Sequence, residues 1–276
     1  MGRKLWEAKE IEPDRIYRMD AGARSVFGCY SNGEWRIATS LERGRSRQAG
    51  WEEIGSLSGP GGEQAGYDWT RILSPASKPV IRAVPAMPDK PLVIRPMNPI
   101  FLPEGKKGQL FVEIPLWIRI TGGGEGAGPG EVLLIEVPTQ ELSKTWFGNF
   151  SAGELCYVSR TRASSENPPP GTDGPAAAHT NAVCPVRVEN STGSLLEVGR
   201  FLIRTEFLAV FEGKDRLLTS SVDLIYRDRE EASQTIGTGA PEQLEGEGKL
   251  LTPPRAVPHN SIVRKSFSFL KDLTGW

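Results

Sequence analysis

The chain has 276 residues, enough for one large or two ordinary domains with a substantial core. Its 33 lysines and arginines against 34 aspartates and glutamates leave a net charge of -1, which excludes a global field drawing it to nucleic acid or to an acidic membrane. Hydrophobic residues make up 38%, with 31 glycines and 22 prolines, a balance that fits many short strands joined by turns and some poorly ordered loops.

No apolar run is long enough to span a bilayer, so no membrane insertion is expected. The first ten residues contain no apolar h-region, and no signal peptide is expected. Cys29, Cys156 and Cys184 are odd in number, widely separated and free of any C-x-x-C spacing, which points to a reduced, cytoplasmic setting. Asn149-Phe150-Ser151 and Asn190-Ser191-Thr192 match the glycosylation pattern, but without a secretory signal both read as chance.

In chain order, residues 1 to 88 read as an N-terminal β-rich region. Extended segments from Ser25 to Tyr30 and from Glu34 to Ser40 flank Ser31-Asn32-Gly33, and Asn-Gly between such segments predicts a tight hairpin. Arg43 to Gly66 is polar and Gly-rich and reads as a loop. Tyr67 to Leu73 and Val80 to Val84 predict further strands. Pro85, Pro88 and Pro91 form a stiff connection that marks a boundary. Residues 89 to 276 then form the main β-sandwich region.

In that region every second residue from Leu110 to Ile120 is aliphatic. Such a period of two predicts one long strand with a buried face and a mixed face, the latter carrying Glu113, Pro115, Trp117 and Arg119. Pro115 cannot donate to a ladder, so a sheet edge or bulge is expected there. Thr121 to Gly130 is a Gly-rich loop. Val132 to Val137 predicts a strand covered on both faces, and Gln140 to Lys144 a single helical turn capped by Thr139. Glu154 to Arg162 predicts a strand. Residues 164 to 180, rich in Pro, Gly, Ser and Ala, predict a flexible loop. Arg200 to Phe211, Leu217 to Arg227 and Ile262 to Leu270 predict the later strands. The fold class expected is all-β, built from antiparallel β-sandwich or barrel-like units with long irregular loops.

No catalytic set emerges. The glycines from Gly122 to Gly128 lack the lysine and the following helix of a phosphate-binding loop. Gly55-Ser56-Leu57-Ser58-Gly59 has leucine where a nucleophile elbow needs serine. The two histidines, His179 and His259, sit in loops, and no metal site or other cofactor is expected. Cys156 and Cys184 read as small buried hydrophobes. A carboxylate-based hydrolase would need two of Glu113, Glu136 and Glu154 across one cleft.

Two stretches stand out as binding candidates. Trp146, Tyr157, Arg160 and Arg162, from an aromatic connection and the strand after it, offer stacking surface and guanidinium groups for an anion, a sugar or a peptide. Trp117, Arg119 and Glu113 offer an interaction surface if the mixed face of the long strand is open. The competing reading makes Trp146 and Trp117 core aromatics and leaves Arg160 and Arg162 in water.

The segments Pro91-Leu92-Val93-Ile94-Arg95-Pro96, Pro115-Leu116-Trp117-Ile118-Arg119, Thr145-Trp146-Phe147-Gly148, Gly153-Glu154-Leu155-Cys156-Tyr157 and Cys184-Pro185-Val186-Arg187-Val188 resemble a prokaryotic family classed as a domain of unknown function. The resemblance runs from about Val26 to Tyr226 and implies no activity, cofactor or catalytic residue. It suggests proximity to mechanosensitive channels, and with it a cytoplasmic accessory role. The expected function is therefore a non-catalytic interaction or regulatory module with a protein partner, a membrane channel among the candidates. The alternative is a small-ligand binding protein.

Overall fold

In a computed structural model the chain is described at residues 6–41, 50–58, 67–124, 131–148, 151, 153–161, 163–165, 177–228, 231–242, 248–257 and 264–267. The fold is all-β, with several sheets and, among the described residues, no closed barrel. The chain divides into two compact units, and it crosses between them three times. Unit 1 is Met1–Ala86 with Leu116–Glu141, and unit 2 is Met87–Pro115 with Leu142–Trp276. A single cut near residue 88 therefore misses the excursion of residues 116–141 back into the first unit.

Seven strands come first in unit 1: β1 (Lys9–Glu10), β2 (Arg15–Ala21), β3 (Arg24–Ser31), β4 (Glu34–Ser40), β5 (Glu52–Ser56), β6 (Thr70–Leu73) and β7 (Pro79–Ala86). The chain then passes through unit 2 as β8 (Leu92–Pro96), β9 (Ile100–Leu102) and β10 (Lys107–Pro115). It returns to unit 1 as β11 (Trp117–Gly124) and β12 (Val132–Pro138). The hairpin expected at Asn32-Gly33 forms between β3 and β4. Asn32 (φ 51°) and Gly33 (φ 79°) both take the left-handed conformation that a tight, strand-compatible turn demands. β5 lies within the stretch read as a loop.

Unit 1 is an antiparallel sandwich. A five-stranded sheet, β5-β2-β3-β4-β6, and a four-stranded sheet, β1-β7-β11-β12, share one apolar cluster. Met19, Val26, Trp35 and Ile37 come from the first sheet, and Ile81, Ile118, Ile120 and Val137 from the second. The indole of Trp35 lies so close to Gly122 that a Cβ there would sit 2.6 Å from its Cε2. The glycine is therefore a packing requirement, since any side chain would displace a fully buried ring.

The long alternating run from Leu110 to Ile120 is two strands rather than one. β10 ends at Pro115, which cannot extend a ladder, and β11 begins at Trp117 in the other unit. Its second face is covered as well, because Phe111, Pro115 and Trp117 are buried along with the aliphatics. β12 departs from expectation the other way, with Leu133 52% exposed. No helical turn follows it. Thr139 is buried and its hydroxyl donates to the Leu116 carbonyl at 2.7 Å instead of capping a helix.

Unit 2 continues with β13 (Ser143–Phe147), β14 (Glu154–Thr161), β15 (Ala163–Ser164), the short helix α1 (Ala177–Thr180) and β16 (Asn181–Asn190). Then come β17 (Leu196–Val198), β18 (Phe201–Ile203), β19 (Val210–Glu212), β20 (Leu217–Thr219), β21 (Val222–Tyr226), β22 (Glu231–Ile236), β23 (Lys249–Thr252) and β24 (Arg264–Phe267). The stretch from Arg200 to Phe211 is broken by a 3-10 turn at Thr205–Phe207. Thr205, the one polar side chain on the apolar face of that stretch, is fully buried, and its hydroxyl donates to the Lys90 carbonyl at 2.8 Å.

β16 organises the largest sheet. It runs antiparallel to β10 on one edge and parallel to β20 and β21 on the other. Unit 2 is therefore mixed rather than purely antiparallel. Asn190 ends β16 and is fully buried with every amide group engaged. Its Nδ2 donates to the Leu102 and Ser194 carbonyls at 2.8 and 2.7 Å, and its Oδ1 accepts from the Thr192 N–H and hydroxyl at 2.9 and 2.8 Å. A sequon asparagine bound in this way is a structural knot in the fold. β13-β14-β8-β18 form a separate four-stranded sheet.

Candidate functional site

The four-stranded sheet of unit 2 holds three of the four residues of the aromatic and arginine stretch. Strand alternation separates them. β13 pairs antiparallel with β14, with Trp146 opposite Leu155 and Lys144 opposite Tyr157. These four share one face. Trp146 is 51% exposed and Leu155 44%. Tyr157 is buried, donates its hydroxyl to Asp89 Oδ1 at 2.9 Å, and carries Lys90 Nζ 5.6 Å from its ring centroid. Burial opposes ionisation of Asp89, but hydrogen bonds from Lys90 and Tyr157 outweigh it and hold the carboxyl below its usual range.

Arg160 is an odd number of residues from Tyr157 and projects from the opposite face. Arg162 lies outside the described residues. Trp146 and Tyr157 therefore share one face of the sheet and Arg160 lies on the other, so these three do not converge on one pocket. On its own face Arg160 meets neighbours that local spacing does not announce. β14 runs parallel to β8 with Arg160 opposite Arg95. β18 pairs antiparallel with β8, with Phe201 opposite Ile94, so the same register carries Arg200 to Arg95. One level along the sheet, Val158, Val93 and Leu202 form a matching apolar row, packed with Phe147 and Cys156.

At the other end of this face, Arg204 bridges Glu154 and Glu206. Only 13% of the Arg204 side chain is exposed. Burial alone would favour its neutral form, but the two carboxylates more than compensate and raise its pKa. Burial pushes the Glu206 carboxyl above its usual range despite Arg204, and its Oε2 has no hydrogen-bond partner. Burial, reinforced by the charge of Glu154, pushes the Cys156 thiol up to about 12, so it is a poor nucleophile. Burial does the same for Cys184, also to about 12.

Glu113, Trp117 and Arg119 do not lie along one strand. Glu113 is partly buried on β10, where desolvation raises its carboxyl against the opposing charge of Arg216. Trp117 is 7% exposed, and Arg119 reaches Glu136 Oε2 across the β11–β12 pair at 3.3 Å. Of the carboxylates considered for hydrolysis, Glu136 and Glu154 are thus each held by an arginine. Among the described residues no group of three His, Cys, Asp or Glu side chains is placed to hold a metal ion, and His259 lies outside them. No helix among the described residues is long and apolar enough to cross a membrane.

A family model described as a protein of unknown function, DUF432, matches residues 11–271. The chain belongs to this family. The match spans both units, so the interrupted unit 1 is part of the family's architecture rather than an appendage. No curated protein and no solved structure matches the chain. For DUF432 the chemistry must therefore be read from the residues themselves.

Proposed function

We propose that this DUF432 protein is a non-catalytic interaction module that holds an extended protein segment on the β13–β14 hairpin. The observation that carries this reading is the cross-strand pair Trp146 and Leu155, both largely exposed beside the exposed Lys144. Among the described residues β13 is the edge strand of its sheet, so a segment could pair along it beside that apolar pair. A segment carrying an apolar side chain for Trp146 and an acidic one for Lys144 suits this surface. The buried thiols and the arginine-held carboxylates support binding over covalent chemistry. Three free, buried cysteines support action in a reducing compartment, which we take to be the cytoplasm. The family resemblance makes a membrane channel's cytoplasmic segment the first partner to try.

The test is capture from native extract with the wild-type chain, Trp146→Ser and Lys144→Glu. A defined protein held by the wild type and lost from both variants is the expected result. Equal capture by all three, or none by any, contradicts the proposal.

A further inference from the structure

The opposite face of the same sheet carries a second feature. Arg160 on β14 and Arg95 on β8 stand opposite each other, and Arg200, immediately before β18, follows by extension of the β8–β18 register. Adjacent strands lie about 4.8 Å apart, so the row spans about 10 Å. Arg95 and Arg160 are exposed and Arg200 is partly buried. Among the described residues none of the three makes an ion pair or a side-chain hydrogen bond. The arginine–carboxylate pairs seen among the described residues of unit 2 are those of Arg187 and Arg204.

Three guanidinium groups in one row without a carboxylate repel one another. The proximity is felt at Arg200, whose pKa is lowered by burial first and by the charge of Arg95 second. Arg200 is also fixed in place, with its guanidinium 5.9 Å from the centroid of the buried Phe147 ring. The row rests on the packed apolar row of Val158, Val93 and Leu202, so the sheet sets the positions of Arg95 and Arg160, and Arg200 directly precedes β18. A rigid platform with unsatisfied positive charge calls for a multiply charged anion. Guanidinium forks match phosphate oxygens in pairs.

We propose that Arg95, Arg160 and Arg200 form a binding site for a small soluble ligand with two or three linked phosphates. One phosphate bridges two neighbouring arginines, and a second or third reaches the end of the row. A long polyanion is a poorer match, because the row is short and the chain as a whole carries a net charge of only -1. The site is independent of the Trp146 surface, which lies on the other face.

Calorimetric titration of the full chain with tripolyphosphate, pyrophosphate and sulfate tests it. Tripolyphosphate binds tightest and sulfate weakest. Arg95→Gln, Arg160→Gln and Arg200→Gln each weaken tripolyphosphate binding about tenfold or more. Arg160→Lys falls between wild type and Arg160→Gln, because charge remains while the fork is lost. Arg187→Gln, an exposed arginine elsewhere in unit 2, leaves binding unchanged. The proposal is overturned if tripolyphosphate does not bind, if the three row variants bind it like wild type, or if only phosphatidic acid vesicles retain the chain. Arg95 and Arg160 are exposed, so Arg95→Gln and Arg160→Gln are expected to melt like the wild type, which keeps loss of binding distinct from loss of fold.

Discussion

The two units treat their arginines differently. In unit 1 each described arginine meets a carboxylate: Arg15 with Glu12 and Glu53, Arg18 with Asp20, Arg24 with Glu141, Arg36 and Arg71 with Glu34, Arg82 with Glu131, and Arg119 with Glu136. In unit 2 Arg204 is held by two carboxylates, whereas Arg95, Arg160 and Arg200 stand together with none. Where every guanidinium is answered internally, charge fixes the fold. Where a row is left unanswered on a rigid sheet, charge is available to a ligand. Both proposed binding surfaces lie in unit 2, and substitutions in each unit test this contrast.

The largest effect tests the buried charge network of unit 2. Arg204→Leu leaves Glu206 buried beside Glu154 without its counter-charge and should cost about 3 kcal/mol in urea denaturation. Adding Glu206→Gln should restore part of that loss, and no recovery would mean the arginine acts through packing alone. Asn190→Ala empties a fully satisfied polar knot and should cost about 2 to 3 kcal/mol by the same measurement. A loss below about 0.5 kcal/mol would show that water replaces the amide. In unit 1, Gly122→Ala forces a Cβ against the Trp35 ring and should cost about 2 kcal/mol, seen also as altered Trp fluorescence.

The pairing in unit 1 also predicts a pH dependence. Arg71, and then Arg36, hold the Glu34 carboxyl down to about 2, below its unfolded value near 4.5. Its contribution to stability is complete above pH 4.5 and disappears as the pH falls towards 2. Acid melts of wild type and Glu34→Gln should differ at pH 6 and converge near pH 2. Parallel curves at all pH values would break the assignment. The smallest effect is at Arg187, whose partner Asp223 is also exposed, so Arg187→Gln should change stability by less than about 0.5 kcal/mol.

Local pattern announced many of the strands and the Asn32-Gly33 hairpin, because period-two alternation and positive-φ turns are written within a few residues, but it missed β5 and β13, whose residues read as a loop and as a helical turn and connection. Pro115 announced an irregularity, but nothing announced that the chain changes unit at Leu116. Aliphatics alternate on both sides of it because β10 and β11 each bury a face in their own unit, so the pattern runs on while the chain changes unit. The helical turn after Thr139 failed because a hydroxyl that suits an N-cap found the Leu116 carbonyl 23 residues away. The arginine row was only one third legible. Arg160 was marked by its strand, but Arg95 and Arg200 reach it through register between strands far apart in the chain.

The central contrast is tested most directly by amide chemical shifts of the full chain during a tripolyphosphate titration. Saturable shifts centred on Arg95, Arg160 and Arg200, with the amides of unit 1 unmoved, are the predicted result. Shifts centred on the paired arginines of unit 1, or no saturable shift at all, would contradict it.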